Sequence, residues 1–131
     1  MIKQTITYMD YNGNERTEEY WFNLSKAELL RLETTTKGGF QKMLENAVAS
    51  EDNYRIIEVF EDLIKHSIGM KTLDGKYFKK SKEFTEDFVQ SEAYSTLLFD
   101  LLQDAEKANA FIRGIMPNDL LAQAEAALPK A

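Results

Sequence analysis

The sequence predicts an α+β fold that is mainly α, with an N-terminal β-hairpin packed on a multi-helix domain. Two patterns indicate this class. Apolar and polar residues alternate from Ile2 to Tyr8, and apolar residues recur at helical spacing beyond Ser25. With 131 residues, 44% of them hydrophobic, the chain has the length and apolar content of a single folded domain.

The predicted hairpin covers residues 2–22. One face of its first strand is Ile2, Gln4, Ile6 and Tyr8. The pair Asn12-Gly13 predicts a tight turn with positive φ at its centre. On the returning strand, Tyr20 and Phe22 share one face. Because an isolated hairpin is marginal in water, this one is expected to pack on the helices that follow it.

Helices are predicted from about residue 26 onward. The first begins at a capping box, in which the side chains of Ser25 and Glu28 each accept the other's backbone amide. Two further stripes at helical spacing are Phe40, Met43, Leu44, Ala47 and Val48, and then Ile56, Ile57, Phe60, Leu63, Ile64 and Ile68. Ser50 is expected to cap between these two helices, and Gly69 to end the second.

The second half of the chain is also predicted to be helical after a short interruption. Residues 73–77 predict a tight turn or a small hairpin. Ser81 begins a helix, and Ser91 either begins another or lies within the same one. Asp104 is expected to cap a further helix that ends at Pro117.

The predicted domain organisation is a single globular domain over residues 1–117 and a weak C-terminal helix or tail over residues 118–131. The helix in that tail is expected at residues 119–128, where the apolar stripe is thin.

Charge and hydropathy exclude several partner classes. The formal charge of −6 argues against a nucleic-acid partner, because neutralising phosphates needs clustered Lys and Arg. The only local cluster is Lys76, Lys79, Lys80 and Lys82, which is interpreted as a solvated turn. No apolar run approaches the ~20 residues that cross a bilayer, so no membrane partner is expected. The chain shows no signal peptide, which favours the cytoplasm.

No reactive constellation is visible, so the chain is not expected to be an enzyme or to hold a cofactor or metal. There is no cysteine, and the single histidine, His66, lies near the end of a predicted helix. The acidic pairs are Glu18-Glu19, Glu51-Asp52, Glu61-Asp62 and Glu86-Asp87. Adjacent residues of a helix point in different directions, so solvated faces explain these pairs better than a paired-carboxylate site does.

Several segments, taken in order, resemble the tail assembly chaperones of long-tailed bacteriophages and prophages of Gram-positive bacteria. They are Tyr11-Asn-Gly-Asn-Glu-Arg-Thr-Glu-Glu19, Trp21-Phe-Asn-Leu-Ser-Lys-Ala-Glu28, Asp74-Gly-Lys-Tyr-Phe78, Phe88-Val-Gln-Ser-Glu-Ala-Tyr94 and Ala110-Phe-Ile-Arg-Gly-Ile-Met-Pro117. The resemblance covers the chain from the first strand to Pro117. None of these segments is a catalytic signature.

This resemblance implies a function. Such chaperones keep the long tape measure protein soluble, recruit major tail tube protein subunits around it and are absent from the finished virion. The expected partners are therefore these two proteins, with self-association also open, and the expected location is the host bacterial cytoplasm. Many members are made in two lengths by ribosomal frameshifting, and this chain would be the shorter form.

Two surfaces are predicted to contact partners: the hairpin, which could add a strand, and the last predicted helix of the domain, which could cradle a helix. Their residues are Tyr20 and Phe22, and Phe111, Ile112, Ile115 and Met116. Packing of both on the domain's own core is at least as well supported by the pattern. The alternative function is a structural tail component, an adaptor or tail-completion protein retained in the virion. A small hydrolase built on His66 is a third hypothesis.

Overall fold

The computed structural model describes residues 1–50 and 52–117. Its elements, in chain order, are strands β1 (Ile2–Met9) and β2 (Glu15–Phe22), helices α1 (Lys26–Thr35), α2 (Phe40–Ala49) and α3 (Asn53–Ser67), strands β3 (Ile68–Lys71) and β4 (Phe78–Lys79), and helices α4 (Lys82–Val89), α5 (Glu92–Gln103) and α6 (Ala105–Ile115). The α+β, mainly α prediction is confirmed. The tail and helix predicted beyond residue 117 lie outside the described residues.

The strands form one antiparallel sheet in the order β1-β2-β3-β4. Ile2 pairs with Phe22 at the open end of the hairpin, and Phe22 in turn pairs with Ile68 of β3. The β1–β2 hairpin and a tight turn or small hairpin at residues 73–77 were predicted, but the pairing of β3 with β2 was not. The end of the β2 edge, at Trp21 and Phe22, is therefore paired with a segment nearly fifty residues away in the chain.

The end of α3 corrects the sequence prediction. Ile68 was assigned to the helix and Gly69 to its stop, but α3 ends at Ser67 and both residues belong to β3. A Cβ atom at Gly69 would lie 2.5 Å from a ring carbon of Phe78 and 2.8 Å from the carbonyl oxygen of Lys79. The glycine therefore allows β4 and the Phe78 ring to approach β3, rather than ending a helix.

The β1–β2 turn is confirmed in position, with positive φ at Gly13 and not at Asn12. The carboxylate of Asp10 accepts the backbone amides of Asn12 and Asn14, both at 2.9 Å. It also accepts a hydrogen bond from Arg16 Nε at 2.7 Å. This charged hydrogen bond is the main reason that the pKa of Asp10 lies below its ordinary value. The turn is thus held by one aspartate and one left-handed glycine.

Replacing Gly13 with valine is expected to lower the free energy of unfolding by about 1–2 kcal/mol, because a β-branched residue resists positive φ. The cost is conformational, since among the described residues, apart from the two chain neighbours, nothing lies within 4 Å of a Cβ placed there. Chemical denaturation measures it. Gly13→Asn is the control, because asparagine tolerates this conformation and should lose less. Equal losses in the two variants would contradict this account of the turn.

The capping box at α1 is present in both directions. Glu28 N donates to Ser25 Oγ at 3.2 Å, and Ser25 N donates to Glu28 Oε1 at 3.0 Å. Leu24 and Leu29, on either side of the cap, are buried, as expected for a hydrophobic staple. The box fixes the direction in which the chain leaves the sheet and enters the helices.

The other predicted caps are mostly confirmed. Ser81 and Asp104 cap α4 and α6 through their side chains, and Ser91 separates α4 from α5, so these are two helices. The cap predicted at Ser50, between α2 and α3, involves two residues in the structure. Ser50 closes α2, whereas the carboxylate of Asp52 accepts the first amides of α3. A carboxylate is the better group there because it also complements the helix dipole.

The core lies between the inner face of the sheet and helices α3, α4, α5 and α6. Its most deeply buried large side chains are Phe22, Leu24, Leu63, Ile64, Ile68, Phe111 and Ile115. The ring of Phe22 packs edge-on against the rings of Phe111 and Phe88, with centroids 5.3 and 6.0 Å apart. The hairpin therefore contributes directly to the core of the helical domain.

Candidate functional site

Within residues 1–50 and 52–117, His66 makes no contact with a carboxylate and a hydroxyl of the kind that a histidine-based triad requires. Its side chain is exposed, and Nδ1 lies 2.7 Å from the backbone carbonyl oxygen of Asp62. The neighbouring Glu61 accepts a hydrogen bond from the hydroxyl of Tyr94 at 2.9 Å. Across residues 1–50 and 52–117, no three His, Asp or Glu side chains are grouped so that they could hold a metal ion.

The six predicted partner-contact residues are mostly inside the domain. Phe22, Phe111 and Ile115 are completely buried, and Met116 is 4% exposed. Tyr20 and Ile112 are half-buried. As placed here, the four buried side chains have no surface to offer a partner. Contact with a partner through any of the six stays a prediction.

The burial of these residues has a simple physical reason. An apolar stripe on a helix buries itself against whichever apolar surface is available, and α6 has the β1–β2 hairpin beside it. A Cβ atom at Gly114 of α6 would lie 2.7 Å from the side chain of Ile2, so helix and strand are in close contact. The stripe on α6 is therefore satisfied within the chain.

A different surface is both apolar and exposed, at the β3–β4 hairpin. Met70, Leu73 and Tyr77 are 53, 104 and 56% exposed. The three exposed lysines of the same hairpin are Lys71, Lys76 and Lys79. We call these six residues the hairpin patch. Exposed apolar side chains grouped in this way are a feature of protein-binding surfaces.

The loop that carries the hairpin patch is ordered by its own hydrogen bonds. Thr72 N donates to the carbonyl oxygen of Tyr77 at 2.9 Å, and Gly75 provides positive φ at the tip. The carboxylate of Asp74 accepts the Thr72 hydroxyl at 2.7 Å and the Lys76 amide at 3.0 Å. The hydrogen bond from the Thr72 hydroxyl is the main reason that the pKa of Asp74 lies below its ordinary value, and the bond from the Lys76 amide contributes to the same shift. A loop fixed before binding loses little entropy when a partner docks.

The lysines of the hairpin patch are not neutralised within the described part of the chain. Lys71 lies over the ring of Trp21 at 5.3 Å and Lys76 over that of Tyr77 at 5.4 Å. Among the described residues, no carboxylate oxygen lies within 4.0 Å of the ammonium of Lys71, Lys76 or Lys79. The patch therefore combines apolar surface with three positive charges that no carboxylate of the described residues neutralises.

Lys80, next in the sequence, has a structural role instead. Its ammonium donates to the carbonyl oxygens of Asn23 and His66 and to Glu28 Oε2, each at 2.7 Å. Burial lowers the pKa of Lys80, and the hydrogen bond to Glu28 offsets part of that shift. Burial alone would raise the pKa of Glu28, but the bonds from Lys80 and Ser25 hold it below its ordinary value. Lys80 thus connects the base of the β3–β4 hairpin to α1 and to the end of α3.

Other exposed apolar residues do not form a comparable surface. Tyr11 is 75% exposed, yet its hydroxyl donates to Glu92 at 3.1 Å and so links the β1–β2 turn to α5. Leu30, Tyr54 and Phe99 are exposed one per helix, on α1, α3 and α5. Scattered apolar residues of this kind are normal on a protein surface.

The hairpin patch was missed from the sequence, although a signal for it is present. The Asp74-Gly75 turn and its lysines were interpreted as a solvated loop. Leu73 and Tyr77 flank that turn within two residues of its glycine. Large apolar residues beside a tight turn point outward unless another element covers them, and here none of the described elements does.

Comparisons with known proteins give one match. A family model described as "Phage tail assembly chaperone" matches residues 1–131. No curated protein and no solved structure matches. None of the helices within residues 1–50 and 52–117 has the length and apolar content that crossing a membrane requires.

Proposed function

The chain belongs to the phage tail assembly chaperone family, and on that premise we propose that it binds the tape measure protein and helps to recruit major tail tube protein subunits during tail assembly. It does so without catalysis, in the host bacterial cytoplasm, and is not retained in the mature virion.

The observation that carries this proposal is the hairpin patch. A tape measure protein is a long helical molecule with apolar stripes, so a chaperone for it needs exposed apolar surface that the partner can cover. Met70, Leu73 and Tyr77 provide such surface on one short hairpin. Leu73 is at the tip, where its whole side chain is available to a partner.

The fold supports a binding role for this hairpin because its tip is not needed by the core. Ile68, at the start of β3, is completely buried against the domain, whereas Met70 is more than half exposed two residues later. The hairpin thus leaves the core at Gly69 and projects beyond it. Its apolar tip can change without loss of core packing, which makes its role testable.

Replacing Leu73 with serine is expected to reduce co-purification of the tape measure protein at least tenfold, while the free energy of unfolding stays within about 0.5 kcal/mol of wild type. The reason is that none of the described elements covers the Leu73 side chain, so its loss removes no core packing. The measurement is co-expression of a tagged chain with the tape measure protein of the same tail module, followed by quantification of the soluble, bound fraction.

Leu30→Ser is the matched control, since Leu30 is 66% exposed on α1, outside the hairpin patch. It should leave co-purification unchanged. If the wild-type chain is folded and neither solubilises nor binds the tape measure protein, the proposed function is wrong for this form of the chain. If both serine variants bind like wild type, the function stands but the hairpin tip is not the contact.

Mass spectrometry of purified virions separates this proposal from a structural tail component. An assembly chaperone should be absent from the particles although it is present in the infected cell. Stoichiometric recovery of the chain in virions would favour an adaptor or tail-completion protein instead.

A further inference from the structure

We infer that the hairpin patch recognises an acidic, amphipathic segment of its partner protein, one that presents apolar side chains beside Asp or Glu. This inference rests on the proposed function, because it specifies the chemistry of the partner that covers the patch. It follows from how charge is distributed along the chain and from the register of the β3–β4 hairpin.

Charge is unevenly distributed along the chain. Residues 71–82 contain five lysines and one aspartate, a formal charge of +4. Because the whole chain has a formal charge of −6, the other 119 residues together carry −10. Two of those lysines are used within the fold, since Lys80 bonds Glu28 and Lys82 lies 4.0 Å from Glu86. The remaining three belong to the hairpin patch. The most basic segment of an acidic protein is therefore also its most exposed apolar hairpin.

The register places lysine beside apolar residues on both faces of this hairpin. Met70 pairs with Lys79, and Lys71 pairs with Phe78. Residues paired across antiparallel strands point to the same face with Cβ atoms about 5 Å apart. Each face thus has one apolar group and one ammonium side by side, and Leu73 and Tyr77 extend the apolar surface at the tip. Met70 is the exposed apolar residue of these two pairs, so a partner segment that covers the Met70–Lys79 face and the tip fits when its apolar residues are flanked by carboxylates.

Two other occupants fit less well. At the hairpin patch a nucleic acid would meet three lysines that have no carboxylate partner among the described residues, and the negative charge on the rest of the chain would repel its phosphates. A second copy of this chain would bring together two molecules that each carry a formal charge of −6. An acidic segment of a different protein uses the local positive charge without adding a second large negative body.

The test uses two synthetic helical peptides with the same leucine stripe, one with glutamate and one with lysine on the polar positions. Fluorescence anisotropy measures binding of each labelled peptide to the full chain. The acidic peptide is expected to bind the chain, and the affinity for the basic peptide is expected to be at least tenfold lower. The affinity for the acidic peptide should fall as salt rises from about 50 mM to about 500 mM.

A charge-reversal pair locates the contact. Lys71→Glu combined with Lys79→Glu should weaken binding of the acidic peptide about tenfold or more, because like charges then face each other. The control is Lys37→Glu combined with Lys42→Glu, which makes the same change in net charge with two exposed lysines of the α1–α2 region. Circular dichroism checks that both double variants are folded. Equal weakening in the two would overturn the inference.

Three further outcomes would also overturn it. They are equal affinity for the two peptides, tighter binding of a labelled single-stranded DNA 20-mer than of the acidic peptide, and self-association that is lost in the Lys71→Glu, Lys79→Glu variant by light scattering. The proposed function is judged separately, by co-purification of the tape measure protein. If that protein binds the hairpin charge-reversal variant as well as wild type, the function stands and this inference is wrong.

Discussion

Replacing Phe111 with alanine is expected to lower the free energy of unfolding by about 3–5 kcal/mol, the usual cost of removing a buried phenylalanine ring. Phe111 is completely buried on α6, and its ring packs against that of Phe22. The void would lie where the β1–β2 hairpin meets the helices. Chemical denaturation gives the loss directly, and it is a large share of the ~5–15 kcal/mol by which native proteins are stable.

Phe99→Ala is the matched control, because it removes the same ring from a position on α5 that is 62% exposed. Its effect should stay below about 1 kcal/mol. The comparison also decides what Phe111 is for. If Phe111→Ala kept full stability and lost only partner binding, the sequence-based prediction would be right, and the Phe111 ring would face a partner instead of the core.

Replacing Lys80 with methionine is expected to lower the free energy of unfolding by about 2 kcal/mol, the second largest loss of stability predicted for this chain. The variant keeps the length of the side chain, but Glu28 Oε2 and the carbonyl oxygens of Asn23 and His66 lose the ammonium that donates to them. Because the site is partly open to solvent, water replaces some of these bonds and the loss stays below that of a fully buried pair. Lys79→Met, at an exposed neighbouring position, should be close to neutral.

The pH dependence gives the Lys80 prediction a second test. The pKa of Glu28 is lower in the folded protein than its ordinary value of 4.5, so the pair stabilises the fold above that value. The contribution is lost as pH falls through the lowered pKa. The stability gap between wild type and Lys80→Met should therefore narrow in acid. A gap of constant size down to about pH 2 would mean that Glu28 contributes nothing.

Local signals allowed most of the elements to be predicted. The Asn12-Gly13 turn and the Ser25–Glu28 box depend on residues only a few positions apart, so both can be recognised in the sequence. The β3 strand could not be found in this way. Ile68 stands four residues after Ile64, which continues a helical stripe, and only pairing with Phe22 across the domain turns it into a strand. Tertiary pairing overrode local periodicity.

The candidate site could be predicted less well than the fold. A stripe such as Phe111 and Ile115 has the same pattern whether it lines a core or a groove, and burial is decided by what packs against it. Leu73 and Tyr77 lack any periodicity that would mark them as a surface. Their exposure follows from the projection of a four-residue strand beyond the core, which is a property of the whole fold.

Hydrogen–deuterium exchange of the chain with and without the tape measure protein is the most direct test of the central claim. We expect protection on binding to be concentrated in residues 70–79, the segment that contains the hairpin patch, with α6 unchanged. Protection of residues 105–116 with the hairpin unaffected would contradict the account, because the partner would then bind through the helix that this structure buries.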